Sequence, residues 1–163
     1  MGKIHSSEFA PKVISGEGHP FRIYVIYTGP ELTRASLRAS SNLACDLDAT
    51  TELLVPAVVP YPIPLDRPTV SPDLIANSAS DLAQACGVNP HIHILLCRDR
   101  EEAVSNALPA ESVAVIGRAR LWGPGSHRRL IRCLFRAGHH LIVVDRNDKA
   151  RVPAATLQCR RKW

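Results

Sequence analysis

The stretch of this chain best equipped for chemistry is Gly117-Arg-Ala-Arg-Leu-Trp-Gly-Pro-Gly-Ser126. Glycines let backbone amides approach an anion closely, and a helix starting at Ser126 adds orphan N–H groups and a positive dipole end. Arg118 and Arg120 bring charge to the same place. The candidate nucleotide or anion contacts here are therefore Gly117, Arg118, Arg120, Gly123, Gly125 and Ser126. The run lacks the lysine of a G-x-x-x-x-G-K-[ST] loop. In the plainer alternative Gly117 ends a strand, Gly123-Pro124-Gly125 turns the chain and Ser126 caps a helix.

Downstream, Arg128, Arg132 and Arg136 recur at i, i+4 and i+8 and form one basic stripe, opposite an apolar side of Leu130, Ile131, Leu134 and Phe135. Such a stripe suits phosphate backbones, but it is also what an ordinary solvated face looks like. The chain has few aromatics for base stacking and no nucleic-acid-binding signature, so the solvated face is preferred. His91 and His93 share one strand face, yet no third ligand with zinc-like spacing accompanies them. They read as strand-end histidines bonded to backbone, and no metal site is expected. Asp99, Glu101 and Glu102 open a helix, where acids stabilise the dipole. No nucleophile–base pair and no G-x-S-x-G elbow is recognisable, so no catalytic residue is assigned and an enzyme is not the favoured reading.

Composition agrees with one soluble globular domain: 163 residues, 45% hydrophobic, 21% charged and 5% aromatic. The formal charge of +5 conceals an asymmetry. From Arg118 onward there are 12 basic and 2 acidic residues, which leaves 8 basic and 13 acidic before it. The positive excess thus gathers around the glycine loop, the helix after it and the tail. No apolar run approaches the ~20 residues of a membrane span and the N-terminus has no signal-peptide core, so a cytoplasmic protein without membrane contact is expected. Cys45, Cys86, Cys97, Cys133 and Cys159 are odd in number and contain no C-x-x-C, which argues against both a disulfide framework and a zinc ribbon.

Strand and helix patterns alternate along the chain and would position these residues. Arg22–Thr28 is an apolar, β-branched run that suits a buried strand and ends at Thr28-Gly29-Pro30. From Pro30 a helix follows, with Leu32, Ala35, Ala39, Leu43 and Leu47 on one face. Thr51–Val59 is a second strand whose Pro56 implies an end, an edge or a bulge. Six prolines between 56 and 72 exclude helix and favour a stiff extended surface segment. Ser71-Pro72-Asp73 starts a helix that runs to about Cys86 and stops at Gly87. Strands at His91–Cys97, Ser112–Ile116 and His140–Val144 alternate with helices at Asp99–Leu108 and Ser126–Ala137. This order implies parallel pairing through right-handed crossovers: an α/β fold, a three-layer α/β/α sandwich with a five-stranded, mostly parallel sheet. Ligands in such folds sit at the carboxyl ends of the strands. The domain is expected at 21–145, between a leader at 1–20 without regular structure and a basic tail at 146–163.

The strand order and helix positions, with Val113-Ala-Val-Ile-Gly-Arg-Ala-Arg leading to Gly138-His-His-Leu-Ile-Val-Val144, resemble the universal stress protein family over about Arg22 to Asp145. That resemblance implies a nucleotide-binding-type fold, usually dimeric, with a stress-response or signalling role and ATP binding in one branch. The family's first strand commonly ends V-D-G-S, where this chain has Tyr27, Thr28, Gly29 and Pro30. Thr28 thus replaces an acid that contacts nucleotide, and Thr28 and Gly29 join the candidate site. The ATP-binding branch has glycine after the fourth strand, glycine three residues on, then nine residues and a Gly-Ser or Gly-Thr pair. Gly117 matches the first position, Arg120 replaces the second, and Leu130 and Ile131 stand at the final pair.

The favoured expectation is a universal-stress-like regulatory or ligand-sensing module, dimeric and non-catalytic, with an altered anion or nucleotide site. The alternatives are an ATP-binding member, with ATP as cofactor, and a basic protein that associates with polyanions. The dimer is expected to form through the fifth strand, His140–Val144, as an apolar sheet edge.

Overall fold

The computed structural model of the protein describes residues 21–118, 126–145 and 150–151. The leader, most of the tail, and the candidates Arg120, Gly123 and Gly125 lie outside the described residues. Elements alternate as β1 (Arg22–Ile26), α1 (Pro30–Leu47), β2 (Thr50–Val58), α2 (Pro72–Ala85), β3 (His91–Cys97), α3 (Arg100–Ala107), β4 (Val113–Arg118), α4 (Ser126–Arg136), β5 (His140–Asp145) and β6 (Ala150–Arg151). They form one sheet in the order β3-β2-β1-β4-β5-β6, parallel from β3 to β5 and antiparallel between β5 and β6. The chain winds outward from β1 to β3, then crosses to the other side of β1. The topological switch point therefore lies between the carboxyl ends of β1 and β4.

Strand parity sorts the core into two layers, because successive side chains point to opposite faces. Ile23, Val25, Leu53, Val55, Val115 and Val144 pack under α1 and α2. Tyr24, Ile26, Leu54, Ile116, Leu141 and Val143 meet Val104 of α3 and Leu130 and Leu134 of α4. This is the expected three-layer sandwich. Pro56 sits inside β2, opposite Leu95 of β3. Leu54 faces β1, since its carbonyl accepts from Tyr27 N at 2.9 Å. Two residues on, Pro56 has no N–H to give Tyr27 O, so the β1–β2 ladder stops there and the Arg100 guanidinium takes that carbonyl instead.

Several details depart from expectation. The buried face of α1 is Thr33, Ser36, Leu37 and Ser40 beside Ala35, while Leu47 is exposed. Small serines can be buried here because each bonds its own helix, Ser36 Oγ to Leu32 O at 3.0 Å and Ser40 Oγ to Leu37 O at 2.8 Å. They let α1 lie close to the sheet. On α4, Phe135 is 44% exposed rather than buried. The proline-rich segment is folded into turns, with Ile63 N donating to Pro60 O and Arg67 N to Pro64 O, rather than extended. β5 is not the last strand: β6 pairs with it at Val143 and Val144 and shortens the edge expected to be free. α2 starts and stops as read, with Ser71 Oγ accepting from Asp73 N at 3.3 Å and Gly87 at φ +70°. No helix among the described residues is long and apolar enough to cross a membrane.

Candidate functional site

The loop after β1 is built from residues that cannot be exchanged freely. Gly29 has φ +125°, a conformation that L side chains rarely adopt, and its carbonyl receives Thr33 N at 2.9 Å as α1 begins. Thr28 N donates to Thr33 Oγ1 at 3.2 Å, and Thr28 Oγ1 donates to Gly117 O at 3.3 Å. The last of these bonds ties the ends of β1 and β4 together across the switch point. Thr28 and Gly29 thus occupy the expected place, and the Thr28 hydroxyl is spent on closing it.

Gly117 does not end its strand: it pairs with Val144 and Arg118 pairs with Asp145, so β4 runs two residues past its expected end. A Cβ at Gly117 would stand 2.6 Å from Leu32 Cβ and 2.7 Å from Leu32 O, so α1 lies directly on this glycine. Its lack of a side chain serves the close approach of helix to strand. Arg118 turns sideways and pairs with Asp145, Nη2 to Oδ1 at 3.3 Å, which neutralises its charge at the place where an anion was expected. Ser126 is the first residue of α4. Arg128, Arg132 and Arg136 are exposed, as a solvated stripe requires.

Two arginines that sequence reasoning passed over reach this end of the sheet. Arg98, just past β3, donates from Nη1 to Val59 O and from Nη2 to Ile63 O, both at 2.7 Å, and stacks 4.2 Å above the Tyr61 ring. It thereby clasps the proline-rich turns. Arg100, the first residue of α3, reaches across to donate from Nη2 to Tyr27 O at the end of β1. Burial pushes its pKa down from the usual value, but a guanidinium keeps its proton. Asp99 between them caps α3 by accepting from Glu102 N at 2.9 Å, and that bond is the chief reason its carboxyl is held below the usual range.

Beside Tyr27 a cleft of about 340 Å³ opens at the carboxyl ends of β1 and β2, between the sheet and α2. Its walls are Tyr27, Val55, Pro56, Ala57, Leu74, Ile75 and Ala79, with Val70 and Ser78 at the sides. The wall is mostly apolar, and Leu74 and Val70 are largely exposed. A more polar cleft of about 420 Å³, lined by Cys45, Asp48, Thr50 and His91 among others, lies at the opposite end of the sheet. The first is the stronger candidate because it adjoins the switch point.

The histidine reading is corrected. His91 and His93 bond a carboxylate rather than backbone: Glu52 Oε1 lies 3.3 Å from His91 Nδ1, and Oε2 lies 2.6 Å from His93 Nε2. Glu52 is buried on β2 directly opposite His91, with Arg22 Nε 3.9 Å away. An isolated acid inside a strand buried on both faces was the available signal, since a buried charge demands partners. Among the described residues no group of His, Cys, Asp and Glu is arranged to hold a metal ion. Ser112 Oγ lies 3.1 Å from His139 Nδ1, at the end of the sheet away from the switch point, and His139 is buried. Burial, with a lesser contribution from His140, holds the His139 imidazole below its usual value.

No protein-family model and no curated protein matches the sequence. Solved structures do. A universal stress protein in complex with cAMP superposes with a TM-score of 0.53 at 15% identity, over 77% of this chain and 97% of that one. A universal stress protein from Archaeoglobus fulgidus gives 0.54 at 17% identity, over 76% and 92%. The chain therefore has the fold of the universal stress proteins.

Proposed function

We propose that a chain with this fold acts as a universal-stress-type regulatory module that senses a small nucleotide and does not turn it over. The carrying observation is the 340 Å³ cleft at the carboxyl ends of β1 and β2, of a size and apolar lining that suit the ring system of one ligand. The cAMP-bound relative supports a nucleotide as that ligand. Departures around the cleft support an altered mode of binding: Thr28 supplies a hydroxyl where an acid was expected, Gly117 is covered by Leu32, and Arg118 is paired with Asp145. The non-catalytic reading is supported by the setting of Ser112 and His139, which lie far from the cleft with the imidazole buried.

A thermal-shift screen of the full chain against adenosine, AMP, cAMP and Mg²⁺–ATP tests this. A ligand that binds the native state alone raises the midpoint as its concentration passes Kd. Stabilisation by AMP or cAMP without release of product over hours is the expected result. Tight Mg²⁺–ATP binding with slow hydrolysis would favour the ATP-binding reading instead. The exposed Arg128, Arg132 and Arg136 keep a polyanion reading in play, which a steep salt dependence of oligonucleotide binding would support.

A further inference from the structure

Among the described residues, two buried side-chain nitrogens have no hydrogen-bond partner: Arg100 Nε and His127 Nε2. Buried polar atoms are nearly always satisfied, so an orphan invites a missing partner. Both orphans lie at the same end and on the same face of the sheet. Arg100 opens α3 directly after β3, His127 stands in the first turn of α4 after β4, and α3 packs against α4. The field of Arg129 acting on Asp99 links the same two helix starts. Charge points the same way. Arg98 and Arg100 are both held by backbone carbonyls rather than by carboxylates, and Asp99 is committed to the Glu102 amide. Among the described residues the half-buried guanidinium of Arg100 bonds no carboxylate, feels its neighbour Glu101 only through space, and keeps one N–H unused at the end of β1. The cleft opens on the other face of the sheet, under α2, and Tyr27 links the two across the end of β1, its carbonyl receiving Arg100 and its side chain lining the cleft wall.

We infer that Arg100, assisted by His127, anchors the phosphate of a nucleoside phosphate whose ring system occupies the cleft beside Tyr27. This rests on the proposed nucleotide-sensing function and adds to it the anchoring residues and the charge preference. A guanidinium meets phosphate oxygens with short, charge-assisted bonds, and partial burial raises their worth over an exposed pair. The anchor lies on the α3 side of the switch point and needs neither Arg118, which is already paired, nor the glycine loop after β4.

The test is calorimetric titration of the full chain with adenosine, AMP and inorganic phosphate, for the wild type, Arg100→Gln, Arg100→Lys and, as a control on the exposed stripe, Arg128→Gln. The wild type is expected to prefer AMP over adenosine at least tenfold. Arg100→Gln should bring AMP to within about twofold of adenosine without changing adenosine itself, Arg100→Lys should retain part of the preference, and Arg128→Gln should behave as wild type. Because the wild-type ratio is informative by itself, a variant that fails to fold does not block the test. Equal binding of AMP and adenosine by the wild type overturns the anchor and leaves the nucleotide reading intact. Binding of phosphate that Arg100→Gln abolishes, with no binding of adenosine or AMP, upholds the anchor and overturns the nucleotide reading. Absence of binding by all three ligands overturns both.

Discussion

Replacing Gly117 by alanine separates two roles for this glycine, a cradle open to a ligand and a seat for α1. The added Cβ would stand 2.6 Å from Leu32 Cβ and 2.7 Å from Leu32 O, both too close to tolerate, and a tight 3.0 Å from Leu32 C. Two of those atoms are backbone, so no rotamer change relieves them and the first turn of α1 must retreat. Overpacking of this kind costs about 1–3 kcal/mol. The lower backbone entropy of alanine in the unfolded chain offsets about 0.4–1 kcal/mol of that. The net loss centres on about 1.3 kcal/mol, within a range of about 0–2.6, and at roughly 2–4 °C per kcal/mol for a chain of this size the melting midpoint falls by about 3–5 °C. Urea unfolding of the ligand-free protein reads the loss as a lower midpoint with an unchanged slope. Truncating Leu32→Ala in the same protein should give no rescue, because the clash is with Cβ and backbone. A Gly117→Ala protein as stable as wild type would refute the argument that α1 rests on this residue.

Glu52→Ala removes the carboxylate shared by His91 and His93 and should cost about 2–4 kcal/mol in urea unfolding, whereas His91→Ala, on a side chain 74% exposed, should cost under about 1. Equal losses would mean that the cluster is not organised around Glu52. The pKa of His139 is lowered in the fold, so the unfolded chain binds its proton more readily. Stability is then level above about pH 7 and falls as pH drops through the ordinary histidine value of 6.5 toward the folded one. His139→Asn should flatten that decline in thermal unfolding recorded between pH 7.5 and 5 (roughly the histidine range), and an unchanged slope would assign it to other groups. We also propose that two copies associate through β5 at His140–Ile142, which pairs with no described residue of β6. Light scattering should return twice the monomer mass at micromolar concentration, and a monomer mass throughout would contradict it.

The strands were legible because a sheet covered on both faces needs uninterrupted apolar runs, and Ile23–Ile26, Leu53–Val55, Ile94–Cys97, Val113–Ile116 and Leu141–Val144 supply them. Helix starts were legible where a hydroxyl or acid and a proline coincide, as at Ser71-Pro72-Asp73. What local pattern misreads is contact between distant segments. Leu47 fits the helical stripe of α1 but is exposed, because Ser36 and Ser40 bond their own turns and bring a different face to the sheet. Arg98 and Arg100 flank a recognisable cap, yet their partners are carbonyls of Val59, Ile63 and Tyr27, which the chain brings near only after folding. The two-residue ladder of β6 leaves no periodic trace. Gly117 stood out in the sequence as an anion contact or a strand end, whereas its need for glycine comes from Leu32, far away in the chain.

The claim at the centre of the account is that a nucleotide seats in the apolar cleft beside Tyr27. Ser78 is exposed and lines that cleft, so Ser78→Trp fills it without disturbing the buried core. Calorimetric titration of cAMP into the wild type and this variant is the direct test. The account predicts saturable binding by the wild type and its loss in Ser78→Trp; wild-type protein that stays silent to millimolar cAMP, or a variant that binds it equally well, would contradict it.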